Sequence, residues 1–105
     1  MAEFVGGKCL VSDEVINTVI AMAAARVEGI TYVRGLDART SALRRHYYKS
    51  IHTAIEGRTL ITDLTVGVDR ESVILEVVAK VQEQVKEDVE TMLGLHCERV
   101  DVTVE

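Results

Sequence analysis

Residues 73–104 read VILEVVAKVQEQVKEDVETMLGLHCERVDVTV. Valines recur at Val73, Val77, Val81, Val85 and Val89, and Met92 closes the stripe. Steps of four with a reset of three present one apolar face of a helix. The opposite face carries Glu76, Lys80, Glu83, Lys86, Glu87 and Glu90, ordinary solvated charges. Gly94 falls just past the helix, where a positive φ costs a glycine little. Val100, Val102 and Val104 then alternate with Asp101, Thr103 and Glu105, the period of a half-buried strand. This stretch is scaffold, and no nucleophile or base stands out in it.

Working back toward the N-terminus, the same logic gives a second helix. Ser12 is suited to cap it, with Asp13 and Glu14 in the first turn, where the helix dipole favours negative charge. Val15, Ile16, Val19, Ile20, Ala23, Ala24 and Val27 follow at helical spacing, and Gly29 supplies the stop. Three alanines, Ala23 to Ala25, allow another element to pack close. Lys8–Val11 suits an opening strand and Ile30–Arg34 a short one after the helix. Ile51, Thr53 and Ile55 alternate with Ser50, His52 and Ala54, and Glu56-Gly57-Arg58 reads as a hairpin turn. Leu60–Val68 is the return strand. Between Gly35 and Tyr48 two readings stand: a short helical turn capped by Thr40 or Ser41, or an exposed loop. The expected fold is α+β, a two-layer sandwich of one mixed sheet with two helices on one face, in the order β-α-β-β-β-α-β.

Composition is consistent with one small domain over residues 1–105, with 1–7 expected to be disordered. The chain is 48% hydrophobic and 28% charged, a globular balance, but only 4% aromatic. Its core must therefore come from Val, Ile, Leu and Ala. No apolar run approaches the roughly 20 residues of a spanning helix, and no secretory signal opens the chain. A cytoplasmic location is expected.

Charge is unevenly distributed. Between Arg34 and Arg58 lie six basic and two acidic residues, a local +4, which leaves −9 for the remainder and −5 overall. A basic, tyrosine-bearing segment on an acidic chain asks for a partner. Arg39, Arg44, Arg45 and Lys49 would attract an acidic surface, while Tyr47 and Tyr48 would bury area against it. These six residues are the candidate partner-binding site. Cys9 and Cys97 make no disulfide framework, and with His46, His52 and His96 they show no metal-ligand spacing, so neither metal nor cofactor is expected.

The sequence resembles the alkaline shock protein family of Gram-positive bacteria, the envelope stress response proteins. The likeness is carried by Val11-Ser12-Asp13-Glu14-Val15-Ile16, Ala23-Ala24 and Val27-Glu28-Gly29-Ile30. Val81-Gln82, Val85-Lys86, Val89-Glu90, Met92-Leu93-Gly94-Leu95 and Val100-Asp101-Val102-Thr103-Val104 extend it over about 90 residues, nearly the whole chain. The resemblance implies a small α+β protein without catalytic activity that works in cell-envelope homeostasis. Some members associate with the membrane through a membrane-anchored partner. The segment 35–49, with Arg44-Arg45-His46-Tyr47-Tyr48 in it, departs from the family pattern.

Three functional classes follow. The first is a non-enzymatic interaction scaffold, peripheral at the inner face of the membrane. Its partners would be a membrane-anchored protein or paralogous chains, in a homo- or hetero-oligomer with the last strand at a sheet edge. The alternative is a single-stranded RNA or other nucleic-acid-binding module using residues 34–58, which the net charge of −5 opposes. An enzyme is the third, with His46 or His52 as proton carriers beside Tyr47, Tyr48, Asp63 or Asp69, but spacing brings no nucleophile, base and orienting acid together.

Overall fold

The computed structural model describes residues 4–5, 8–9, 12–37, 42–43 and 51–105. Helix α1 spans Asp13–Ala25, and its first turn is closed by Ser12, whose Oγ accepts from the Val15 amide at 3.3 Å. Ile16, Ile20, Ala21, Ala23 and Ala24 are buried and α1 packs against the second helix, while Ala25, the third of the alanine run, is exposed. The helix ends at Ala25, four residues before Gly29. Gly29 instead turns the chain, at φ 100°, under the start of the second helix.

Four strands make one sheet. Strand β3 (Ile30–Val33), β6 (Ile51–Glu56), β7 (Thr59–Val68) and β8 (His96–Val104) all pair around β7. On one edge β7 receives β6 along Thr59–Leu64 and β3 along Val66–Val68, both antiparallel. On its other edge it receives β8 in parallel, from Thr59↔His96 to Val66↔Val104. The sheet is therefore mixed, as expected. A tight turn at Gly57 and Arg58 joins β6 to β7, at the position its sequence predicts. Between β7 and β8 runs α2 (Ile74–Asp88), continued by a π-helical turn over Val89–Leu93 and stopped at Gly94, whose φ is 68°.

The inner face of the sheet contributes Ile51, Leu60, Leu64, Val66, Cys97 and Val100 to the core, and both helices cover it. Under α1 the helix's one buried polar residue, Asn17, accepts a hydrogen bond from Thr53, which shares another with the buried Thr62. These partners satisfy a polar position that would otherwise be costly on an apolar face.

Several expectations change. The valine stripe holds only through Val77, Val81, Val85 and Val89. Val73 caps the helix and is 60% exposed, and Met92 is 62% exposed. The π turn adds a residue after Val89, so Leu93 rather than Met92 packs against the core. Of the expected opening strand the described part, β2 (Lys8–Cys9), pairs antiparallel with β1 (Phe4–Val5) and, among the described residues, not with the main sheet, so two residues of the stretch expected to be disordered are paired. β4 (Leu36–Asp37) pairs antiparallel with β5 (Ala42–Leu43), and the rest of the segment read as either a helical turn or an exposed loop lies outside the described residues. The last strand begins at His96, earlier than its valines suggest. A register shift between Leu60 and Ile61, pairing them with Cys97 and Arg99, breaks the alternation there.

Candidate interaction surface

The six residues picked out by charge, Arg39, Arg44, Arg45, Tyr47, Tyr48 and Lys49, lie outside the described residues, as does His46. The two ends of that basic segment are described. Arg34 is exposed and pairs with Glu105 at 3.5 Å, and Arg58 donates to the Gly94 carbonyl at 3.4 Å. Sequence reasoning missed what the register of β7 assembles on the other side of the sheet.

The helices leave the outer face of the sheet uncovered. Cross-strand pairing sets His52, Asp63 and Asp101 in one row and Ala54, Ile61 and Arg99 in the next. Further along, Tyr32, Gly67 and Glu105 form a third row. The Tyr32 ring lies over Gly67 so closely that a Cβ there would overlap it. Its hydroxyl donates to Glu105 Oε1 at 3.1 Å, and partial desolvation followed by that carboxylate raises the phenol above its ordinary value. Arg99 Nε and Asp101 Oδ2 sit 3.0 Å apart, both well exposed. The face is thus mixed in charge and carries one half-exposed aromatic ring. The rows were hidden because side-chain identity gives alternation but not which strand lies beside which.

β8 closes this face at its edge. His96 N–H donates to the Arg58 carbonyl at 2.7 Å and Glu105 N–H to the Val66 carbonyl at 3.1 Å, so β7 saturates one side of the strand. On the other side the Gln82 amide donates to the Val100 carbonyl at 3.0 Å, and Glu90 accepts from the Cys97 amide at 3.4 Å.

Among the described residues, chemically reactive groups do not converge. Burial pushes the Cys97 thiol up, with Lys86 opposing and Glu90 adding to the shift, so the sulfur is held as the unreactive thiol. His52 is exposed on the strand, and His96 sits 3.4 Å from Glu90 in solvent. Among the described residues no three His, Cys, Asp or Glu side chains gather as a metal group. A cleft of about 290 Å³ between the end of α1 and α2 is lined by Val27, Glu28, Lys80, Glu83, Gln84 and Glu87, and pairs no nucleophile with a base. No described helix is long and apolar enough to cross a membrane.

With this geometry in place, comparison with known proteins is decisive on one point. The model of the alkaline shock protein 23 family, described as having a cell envelope-related function, matches residues 3–105. The chain belongs to that family. No curated protein matches it. Among solved structures it is similar to the MamM C-terminal domain at 21% identity and a TM-score of 0.56, over 90% of this chain and 98% of that one. A manganese form of a variant of that domain aligns with a TM-score of 0.56 at 20% identity, covering 90% and 98%. A cadmium form of another variant aligns at 20% identity and 0.56, covering 90% and 96%. At this identity the likeness is one of fold, and the metals belong to those proteins. The family's cell envelope-related function and α+β architecture agree with the expectations drawn from the sequence.

Proposed function

We propose that this family member is a non-enzymatic interaction scaffold of cell-envelope homeostasis, held at the inner face of the membrane by a membrane-anchored protein or by paralogous chains. The observation that carries this reading is the division of labour in the sheet: one face is consumed by two helices and the other is a broad exposed surface ending in an incompletely capped edge strand. Such a surface suits protein contact, where a mixed-charge field with an aromatic ring gives orientation and area. The basic segment adds attraction. Arg39, Arg44, Arg45 and Lys49 would steer an acidic partner, and Tyr47 and Tyr48 would bury area in the contact. Direct attraction to anionic lipid, at about 1 kcal/mol per basic residue, is weak beside a net charge of −5, so a protein tether is the better mechanism.

Affinity pull-down from detergent-solubilised native cells tests the reading. The wild type is compared with a variant carrying Arg39→Glu, Arg44→Glu, Arg45→Glu and Lys49→Glu. Recovery of a membrane protein or paralogue by the wild type alone supports tethering through the basic segment. Equal recovery by both moves the contact to the sheet. Recovery of nucleic acid in place of protein overturns the scaffold reading.

A further inference from the structure

The backbone of β8 has a direction that can be read atom by atom. Glu105 N–H reaches β7, so by strand alternation Asp101 and Thr103 also aim their amides and carbonyls at β7. Val100, Val102 and Val104 aim theirs the other way, and the Gln82 bond to the Val100 carbonyl confirms that orientation independently. Side chains from α2 and the π turn close the first part of this edge, at Cys97 and Val100. Among the described residues, nothing occupies the Val100 amide or the amides and carbonyls of Val102 and Val104.

Edge strands are ordinarily blunted by lysine, proline, a bulge or a covering element. The bulge in β8 lies between its pairings with Leu60 and Ile61, at the covered end. The uncovered end, Val-Asp-Val-Thr-Val, is β-rich and contains neither lysine nor proline. Val102 and Val104 are half-buried and pack against the core, which anchors this end of the strand to the sheet.

We propose that β8 pairs antiparallel with β8 of a second copy about a two-fold axis at Val102, joining two sheets into one. This deepens the self-association part of the proposed function and does not depend on the basic segment. Charge selects both the occupant and the register. Outward from the sheet β8 shows Arg99, Asp101, Thr103 and Glu105. With the axis at Val102, Arg99 lies opposite the second copy's Glu105, and Asp101 opposite its Thr103. Moving the axis to Asp101 sets that carboxylate against its own copy. Moving it to Thr103 sets Asp101 against Glu105. Like charges directly opposite each other are destabilising, so of these three registers only the one centred on Val102 is free of them. In that register Val102 exchanges both backbone bonds with the second copy's Val102, and Val100 with its Val104. The Val100 carbonyl keeps its Gln82 bond through its second lone pair. The arrangement is isologous and closes at two copies.

Sedimentation velocity of the purified full chain tests this over concentrations from ~10 to ~500 µM, the range in which a small interface associates. The wild type is expected to shift from monomer toward dimer. Val102→Pro deletes an outward amide and leaves the β7 ladder intact, so it should abolish the shift while circular dichroism stays unchanged. Thr103→Lys, on the exposed face, places an ammonium opposite the second copy's Asp101 and should tighten the dimer about threefold or more. In either neighbouring register the same change opposes Lys to Arg99 or to itself and weakens association. A wild type that stays monomeric throughout overturns the proposal, as does a folded Val102→Pro variant that dimerises like the wild type. Weakening by Thr103→Lys overturns the register. Sedimentation of the pure chain and the pull-down fail separately, since one needs no cellular partner and the other needs one.

Discussion

β7 shows two different proteins on its two faces. Inward it presents Leu60, Thr62, Leu64 and Val66, all without exposure, in the layer that the helices cover. Outward it presents Ile61, Asp63, Thr65 and Gly67, beside polar and charged neighbours from β6 and β8 and the Tyr32 ring from β3. The same ten residues thus serve as the centre of the core and as the middle of an open surface. Stability should reside almost entirely on the first face and contacts on the second, and substitutions on either side can break that division.

The largest effect is expected on the inner face. Leu64→Ala removes a fully buried side chain from the centre of the core and should cost about 3 kcal/mol in urea unfolding. That corresponds to a fall in melting temperature of roughly 12 °C or more for a chain of this size. Gly29→Ala comes next. At φ 100° an added Cβ would stand 2.8 Å from Val77 Cγ2 and 2.9 Å from Ser72 Oγ, so backbone strain and overlap combine. A cost of about 2 kcal/mol is expected, read as a lower unfolding midpoint with an unchanged m-value. Asp88→Ala should cost about 1–2 kcal/mol. Its buried carboxylate accepts from Gln84 and pairs with Arg26, and removing it strands the Gln84 amide. Arg26 is itself half exposed and regains water, which limits the loss.

How far these positions were legible depended on whether local period and tertiary contact agreed. Where they agree, in Val77, Val81, Val85 and Val89 or in the Ser12 cap, the residues alone place the element correctly. They part company at Met92, because a π turn changes the phase without leaving any mark in side-chain type. Asn17 is polar by type and yet a core residue, since its partner Thr53, itself bonded to Thr62, comes from a strand far along the chain. The β1–β2 pairing and the outer-face rows were invisible for the same reason: pairing partners are a property of topology. The charge-based site at Arg39, Arg44, Arg45, Tyr47, Tyr48 and Lys49 falls outside the described residues, so the structure adds the outer sheet surface and leaves that site to the pull-down.

Cys97 sharpens the comparison from the inner side. Burial raises its thiol above the ordinary value of 9.0, so the folded chain holds the proton after the unfolded chain has released it. The stabilisation that the buried thiol provides is complete below the unfolded value and is lost as pH rises through the folded one. Chemical denaturation of wild type and Cys97→Ala should therefore differ most near neutral pH, and the gap should narrow above about pH 9. In a Cys9→Ser background, a thiol reagent should label Cys97 only after urea is added.

The smallest effect on stability is expected outside, and it is the sharpest test of the division. Arg99 and Asp101 form an ion pair with both side chains half exposed or more. Water screens the attraction, and holding two long side chains costs entropy, so Arg99→Ala should change unfolding by less than about 0.5 kcal/mol. The same substitution removes the charge that faces Glu105 of a second copy across β8. It should leave the urea midpoint in place while shifting the monomer–dimer balance toward monomer in sedimentation. A residue that matters to association and not to folding is what an outer face built for contact predicts. Loss of stability at Arg99 comparable to that at Leu64 would mean that the two faces of the sheet are not separate after all.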